Sequence, residues 1–252
     1  GGGKQGAAKQ AGWGGSGREL SMLESVALWG DGPGAEADED VDSAEPEVST
    51  AKFELAEATV ARGGKVIVTE DVLTFAPARA FADRHPDAMI VCGRSSDVDI
   101  RIVEEAQTVE GLSIAIEWQG VRHDLSVPLF GLHHVENVAL VFAAACTYGA
   151  DPETVTLALK SAPQITHRLE VKPGPNDSVL VDDAYNSNPK GFTSALETLD
   201  LLVREGGRRI VVTPGMVELG ADHDEEHTRL GKIAAEHADV VLARGAHGRA
   251  FI

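Results

Sequence analysis

Cysteine is scarce: the 252 residues hold two, Cys92 and Cys146. They lie far apart and form no C-x-x-C, which excludes a disulfide framework and leaves two buried thiols in a reducing compartment as the expectation. Basic charge is also short, with 22 Lys and Arg against 40 Asp and Glu and a formal net charge of -18. That balance argues against nucleic acid or an anionic membrane as partner, and means that any phosphate ligand is held by local geometry, a metal or a few chosen cations. No apolar run approaches the ~20 residues of a membrane span, and GGGKQGAAKQ at the start has no apolar signal core. A cytoplasmic protein, monomeric and off the membrane, is the expectation. What is present is ample apolar content, 43%, enough for one large domain or two modest ones.

No internal repeat is visible along the chain. Residues 1–48 are rich in glycine, small residues and acid, ending in GAEADEDVDSAEPEV, and read as linker or disorder; only Glu19 to Trp29 has the content for one short helix. Order is expected from Ser49, where Ser49 or Thr50 can cap a helix through Glu57. GKVIVTED and AMIVCG read as strands around a short helical piece. DIRIVEEAQT, LSIAIEWQG and VRHDLSVPL read as antiparallel strands with a turn at QG. A helix is expected from His134 to about Thr147, and another after Asp151-Pro152, a cap followed by proline in the first turn. From His167 the rhythm changes. HRLEVK and SVLVDDA flank PGPND as a hairpin, and a helix from Pro189, the strand RRIVVTPG, a helix from about Asp222 to His237 and the strand DVVLARG follow. Strand, helix, strand, helix, strand predicts a parallel sheet with right-handed crossovers, with a domain boundary near 165–167.

In open parallel sheets ligands bind beyond the carboxyl ends of strands. The stretch VLVDDAYNSNPKG places Asp182, Asp183, Tyr185, Asn186 and Asn188 there. Capping accounts for one or two of them, since Asn188 before Pro189 makes a good helix start, but not for the set.

These residues resemble a known family. HRLEV, VDDAYNSNP and VVTPGMVELG followed by a histidine are similar to the C-terminal domain of the Mur ligases, and among them to the branch that adds D-alanyl-D-alanine to UDP-MurNAc-tripeptide. Upstream, GLHHVENVALVFAAA resembles the family's G-x-H-N-x-x-N segment, and STAKFEL its A-K-x-E helix. The matches keep the family's order from Ser49 to Ile252. The fold this implies is α/β: part of a mixed-sheet central ATPase-type domain over 49–166, then a Rossmann-like, parallel-sheet C-terminal domain over 167–252.

The resemblance implies roles residue by residue. Asn137 would contact adenine, an amide being able to donate and accept at one purine edge. His133 would sit near metal and phosphates, although His134 follows it where asparagine is usual. Lys52 matches the lysine that the family carbamylates, making it an anion able to ligate Mg2+. Arg168, just past the boundary, suits phosphate or ribose oxygens, and Asp183 would accept from ribose hydroxyls. Tyr185, Asn186 and Asn188 would line the cleft where nucleotide and incoming amine meet. The implied reaction uses ATP and Mg2+ to activate the peptide carboxylate of UDP-MurNAc-tripeptide as an acyl phosphate, which the amine of D-alanyl-D-alanine attacks.

One family element has no counterpart. Nothing matches the phosphate loop G-x-x-x-x-G-K-[ST]; GGGKQG at Gly1 to Gly6 has glutamine after the lysine and no preceding strand. Thr69-Glu70-Asp71 likewise stands where the family has an asparagine-containing turn. An inactive fragment, or a homologue kept for nucleotide or partner binding, is therefore the alternative to an active ligase. A third reading comes from HDEEH, His223 to His227, which fits the H-x-x-E-H zinc-protease pattern, with Glu226 as base and Glu236 or Asp239 downstream as the remaining ligand. The competing explanation is an acidic first helical turn favoured by the helix dipole.

Overall fold

The computed structural model describes residues 26–29, 45–185, 188–216 and 219–245, with side chains from Phe53 onward except Ala221. Six strands, β1 (Val26–Trp29), β2 (Lys65–Thr69), β3 (Met89–Gly93), β4 (Ile100–Thr108), β5 (Gly111–Trp118) and β6 (Val121–Val127), form one sheet in sequence order. β1 to β4 pair in parallel, and β4, β5 and β6 form an antiparallel meander. The expected QG turn joins β5 to β6: Gln119 and Gly120 both have positive φ, 53° and 75°, as a two-residue hairpin turn requires.

Helix α1 (Glu45–Ala61) precedes β2, and α2 (Ala76–Arg84) joins β2 to β3 through a 3-10 turn. α3 (His134–Thr147) lies on the sheet. Its Val135, Val138, Ala139 and Phe142 recur every three or four residues, forming one buried stripe against Ile67, Ile100, Ile114 and Ile116. α4 (Pro152–Leu159) starts where the sequence indicated, with Asp151 Oδ2 accepting from Thr154 N at 3.0 Å. A second cluster, Ala56, Val66, Val68, Phe81 and Met89, joins α1 and α2 to the sheet's other face. Cys92 is buried, and burial pushes its thiol up to about 12, so it is unreactive at neutral pH.

β7 (Glu170–Pro173) and β8 (Val179–Asp182) form the expected antiparallel hairpin. Asn176 and Asp177 take left-handed φ in its turn, a conformation that short polar side chains tolerate. α5 (Pro189–Leu202), β9 (Ile210–Thr213), α6 (His223–His237) and β10 (Val240–Ala243) follow. β9 and β10 pair in parallel, and Phe192 and Leu196 of α5 pack with Leu230 and Ala234 of α6 and with Met216.

Three expectations need correction. Val26–Trp29 is a strand rather than part of a helix: VALW is apolar and partly β-branched, and its backbone pairs in parallel with β2. Order within 1–48 thus includes β1 and the first turn of α1, which begins at Glu45 rather than at Ser49 or Thr50. The parallel sheet of the second half contains β9 and β10 alone among the described residues, while β8 pairs with β7 in a separate antiparallel hairpin. Among the described residues, no helix is long and apolar enough to cross a membrane.

Candidate functional site

The end of β8 meets two other segments. Leu169 N donates to Asp183 Oδ1 at 3.1 Å, tying the stretch before β7 to the residue after β8. A Cβ on Gly131 would lie 2.7 Å from Leu169 Cδ1 and 2.5 Å from His133 Cε1, so the loop opening α3 closes on the same point. A Cβ on Gly191 would lie 3.7 Å from Asp183 Oδ2, which brings in the first turn of α5. The loop 131–134, the segment 167–169 and the α5 N-terminus therefore form three sides of one polar site.

Arg168 is held there by an unusual backbone. Its neighbours His167 and Leu169 have φ of 60° and 47°, left-handed values that cost non-glycine residues about 1–3 kcal/mol each. Burial of the Leu169 side chain and its bond to Asp183 fix the bend. Arg168 then projects over Tyr185, its Cζ 4.6 Å from the ring centroid. Tyr185 N donates to His167 O at 3.2 Å, and the ring itself is exposed.

Electrostatics separate the groups. Burial raises the Asp183 carboxyl above its ordinary value, against the opposing Leu169 N–H and Arg168 charge. His133 keeps much of its surface open, yet desolvation lowers its pKa, with the charges of Lys190 and Arg168 adding to the effect. It is therefore neutral at pH 7, with a nitrogen lone pair available. His134 is buried, its ring 4.1 Å from that of His133, and desolvation, His133 and Arg168 push it down to about 4. Because its folded pKa lies below the unfolded 6.5, the unfolded chain protonates first. Its contribution to stability is complete above about pH 6.5 and is lost as pH falls toward 4, by up to about 3 kcal/mol. Denaturation measured across this window should show a clearly smaller acid-side loss for His134→Asn than for the parent; equal slopes would contradict this assignment.

The predicted residues sort as follows. Arg168, Asp183, Tyr185 and His133 converge. Asn188 caps α5, its Oδ1 accepting from Gly191 N at 2.7 Å, so the capping explanation holds for it. Asn137 is exposed on α3 four residues after His133, hence on the same helical face. Asn186 and the Lys52 side chain lie outside the described residues; the Lys52 backbone belongs to α1. Glu70 serves the fold, its carboxylate accepting from Arg94 N at 2.7 Å and Ser95 N at 3.2 Å above Gly93, where no Cβ would fit.

Sequence reasoning missed Lys190 and Gln107. Lys190 stands in the first turn of α5 and acts on His133 through its charge; its place between a helix cap and a glycine was the available signal. Gln107 on β4 bonds Gly131 N and Thr198, a link that no local pattern announces.

The zinc-protease reading does not survive. His227 is fully buried, with Nδ1 donating to His223 O at 2.6 Å and Nε2 accepting from Met216 N at 2.9 Å. Nδ1 carries the proton and the Nε2 lone pair is taken by Met216 N, so no lone pair is left for zinc. Glu226 is paired with Arg229 at 2.7 Å. His227 instead fastens the segment after β9 to α6, and His227→Ala should cost about 2–4 kcal/mol in thermal denaturation. Stoichiometric zinc in metal analysis would contradict this account. A second cluster, His167, Glu170 and Asp182, has ligand-type atoms within 4.8 Å of one another. Lys172 Nζ lies 3.0 Å from Glu170 and 2.8 Å from Asp182, neutralising it as an ion-pair network.

The chain resembles known proteins in sequence and fold. Residues 167–251 match the family "Mur ligase, glutamate ligase domain". The chain is 28% identical over 162 residues to the UDP-N-acetylmuramoyl-tripeptide--D-alanyl-D-alanine ligase of Bacillus subtilis, covering 64% of this chain and 34% of that protein. It is 30% identical over 145 residues to the Escherichia coli enzyme of the same name, covering 57% and 31%. The crystal structure of MurF from Acinetobacter baumannii superposes with TM-score 0.61 at 25% identity, covering 75% of this chain and 40% of that one. MurF from Thermotoga maritima, solved in complex with ADP, superposes with TM-score 0.56 at 18% identity, covering 79% and 45%. The chain thus spans about a third of the length of these curated relatives. Residues 167–251 thus match the Mur ligase, glutamate ligase domain, and the chain is similar to ligases of the D-alanyl-D-alanine-adding type.

Proposed function

We propose that this chain contributes the nucleotide-closing wall of an ATP-dependent ligase that joins D-alanyl-D-alanine to UDP-MurNAc-tripeptide in the cytoplasm. The observation that carries the reading is the convergence of Arg168, Asp183 and the loop of His133 on one site, through the Leu169–Asp183 bond and the contact at Gly131. In the proposed arrangement the parts 49–166 and 167–252 act as two domains with the nucleotide between them. Asp183 accepts from ribose hydroxyls, and Arg168 and Lys190 face phosphate oxygens. Asn137 meets the adenine edge, while Tyr185, Asn186 and Asn188 line the amine side.

The donor set suits a magnesium nucleotide. His133, neutral at pH 7, and Lys52, once carbamylated, would hold Mg2+, which supplies neutralisation of charge on the phosphoryl oxygens. The γ-phosphoryl group of ATP passes to the peptide carboxylate, giving an acyl phosphate and ADP. The amine attacks that carbonyl, and the tetrahedral species expels phosphate and a proton. Arg168 orients the transferring group, and closure of the cleft keeps water from the acyl phosphate.

A second reading is a nucleotide-binding homologue without turnover, which would use the same Arg168 and Asp183 beside the His133 loop. One assay separates the two. Phosphate release that requires ATP, UDP-MurNAc-tripeptide and D-alanyl-D-alanine together is the outcome expected of the ligase. Nucleotide binding with no phosphate release under the same conditions would overturn it in favour of the second reading.

A further inference from the structure

Gln107 occupies a joint in the molecule. It is half-buried near the end of β4, and its carboxamide reaches two elements that come from opposite sides of the proposed cleft. Oε1 accepts from Gly131 N at 2.6 Å, and Nε2 donates to Thr198 Oγ1 at 3.0 Å. Gly131 begins the loop that carries His133 and His134; Thr198 lies on α5, whose first turn carries Lys190 and is capped by Asn188.

The proton inventory leaves one arrangement. A backbone N–H can only donate, so the amide oxygen must face Gly131. The Thr198 hydroxyl has one proton, and it goes to Ser194 O at 2.8 Å within α5. Its oxygen must therefore accept, which is what the amide nitrogen of Gln107 supplies. Thr198 is fully buried, so water cannot replace that donor without opening the contact. Gly131 has φ +93° and no room for a Cβ against His133 and Leu169, so glycine alone lets the backbone approach Gln107 at this point.

We propose that Gln107 is a positioning residue: its carboxamide latches the Gly131–His134 loop to α5 and so fixes the separation between the His133 side and the Lys190 side of the cleft. The latch itself is a claim about the free protein, while its consequence for nucleotide rests on the function proposed above.

The test uses Gln107→Leu, Gln107→Glu, Thr198→Val and the double variant Gln107→Leu/Thr198→Val. Two readouts apply to the full chain: residue-resolved amide hydrogen exchange without ligand, and affinity for magnesium ADP. Gln107→Leu should speed exchange at Gly131 about tenfold, the loss expected for one hydrogen bond, with the β5 amides unchanged. Thr198→Val and Gln107→Glu should leave Gly131 protected, because an acceptor for its N–H remains. All three single variants should weaken magnesium ADP by about tenfold, and the double variant should be no weaker than Gln107→Leu alone, since both substitutions remove the same bond. A purely structural residue would instead lower protection throughout β5 and give additive losses. Unchanged exchange at Gly131 in Gln107→Leu overturns the latch, as does additivity in the double variant. If the parent chain binds no ADP, the nucleotide reading fails by itself and the exchange arm still decides the latch.

Discussion

Asp183→Ala will lower the affinity of the chain for magnesium ADP by roughly a hundredfold, the equivalent of about 3 kcal/mol for a hydrogen-bonded charged group. Two effects combine in that loss. The carboxylate that would accept from the ribose disappears, and Leu169 N loses its acceptor at 3.1 Å, freeing the backbone that aims Arg168. Asp183→Asn separates them. An amide oxygen still accepts from Leu169 N, so Arg168 stays aimed and the loss should be intermediate. The pH profile offers a second check. Burial raises the Asp183 pKa, so binding that needs the carboxylate should fall away on acidification at a pH above the ordinary aspartate range, and this feature should vanish in Asp183→Asn. Affinity unchanged in Asp183→Ala would remove this residue from the site.

Gly131→Ala will damage stability and binding together. At φ +93° any side chain is strained, and the new Cβ would lie 2.5 Å from His133 Cε1 and 2.7 Å from Leu169 Cδ1. Both neighbours belong to the site, so relief moves either the imidazole or the leucine that holds the Arg168 bend. A cost of about 2–4 kcal/mol follows from strain plus displacement, which for a chain of this size lowers the midpoint of thermal unfolding by several degrees. Magnesium ADP affinity should fall by at least about tenfold. Gly149→Ala is the control: it also has positive φ, 88°, but its added Cβ meets nothing within 4 Å. It should lower stability through backbone strain alone and leave binding intact. Equal effects of the two substitutions on binding would show that the Gly131 contact is not part of the site.

Much of this was legible in the sequence because the relevant forces are local. α3 announces itself through Val135, Val138, Ala139 and Phe142 at helical spacing, and the β5–β6 turn through Gln119-Gly120. Asp151-Pro152 and Asn188-Pro189 mark helix starts by cap chemistry that operates within four residues. Misreadings arose where distant partners decide. VALW carries no signal of the β2 edge that it joins, so a short apolar run was open to either helix or strand. His223 and His227 have the spacing of a metal pair, but a helix places a core histidine at the same interval. The outcome was set by the Met216 amide, eleven residues upstream of His227. Gln107 in EEAQT looks like any polar strand residue, and only the approach of Gly131 and Thr198 gives it a task. Lys190 had a local signal in its place at the start of α5, but its effect depends on the distant His133.

The proposed nucleotide site lies between the His133 loop and the Arg168–Asp183 wall. Calorimetric titration of the full chain with magnesium ADP and magnesium ATP, run in parallel on Asp183→Ala, tests it most directly. Saturable binding of both nucleotides by the parent, and about a hundredfold weaker binding by the variant, is the expected result. Absence of binding by the parent, or equal binding by parent and variant, would contradict it.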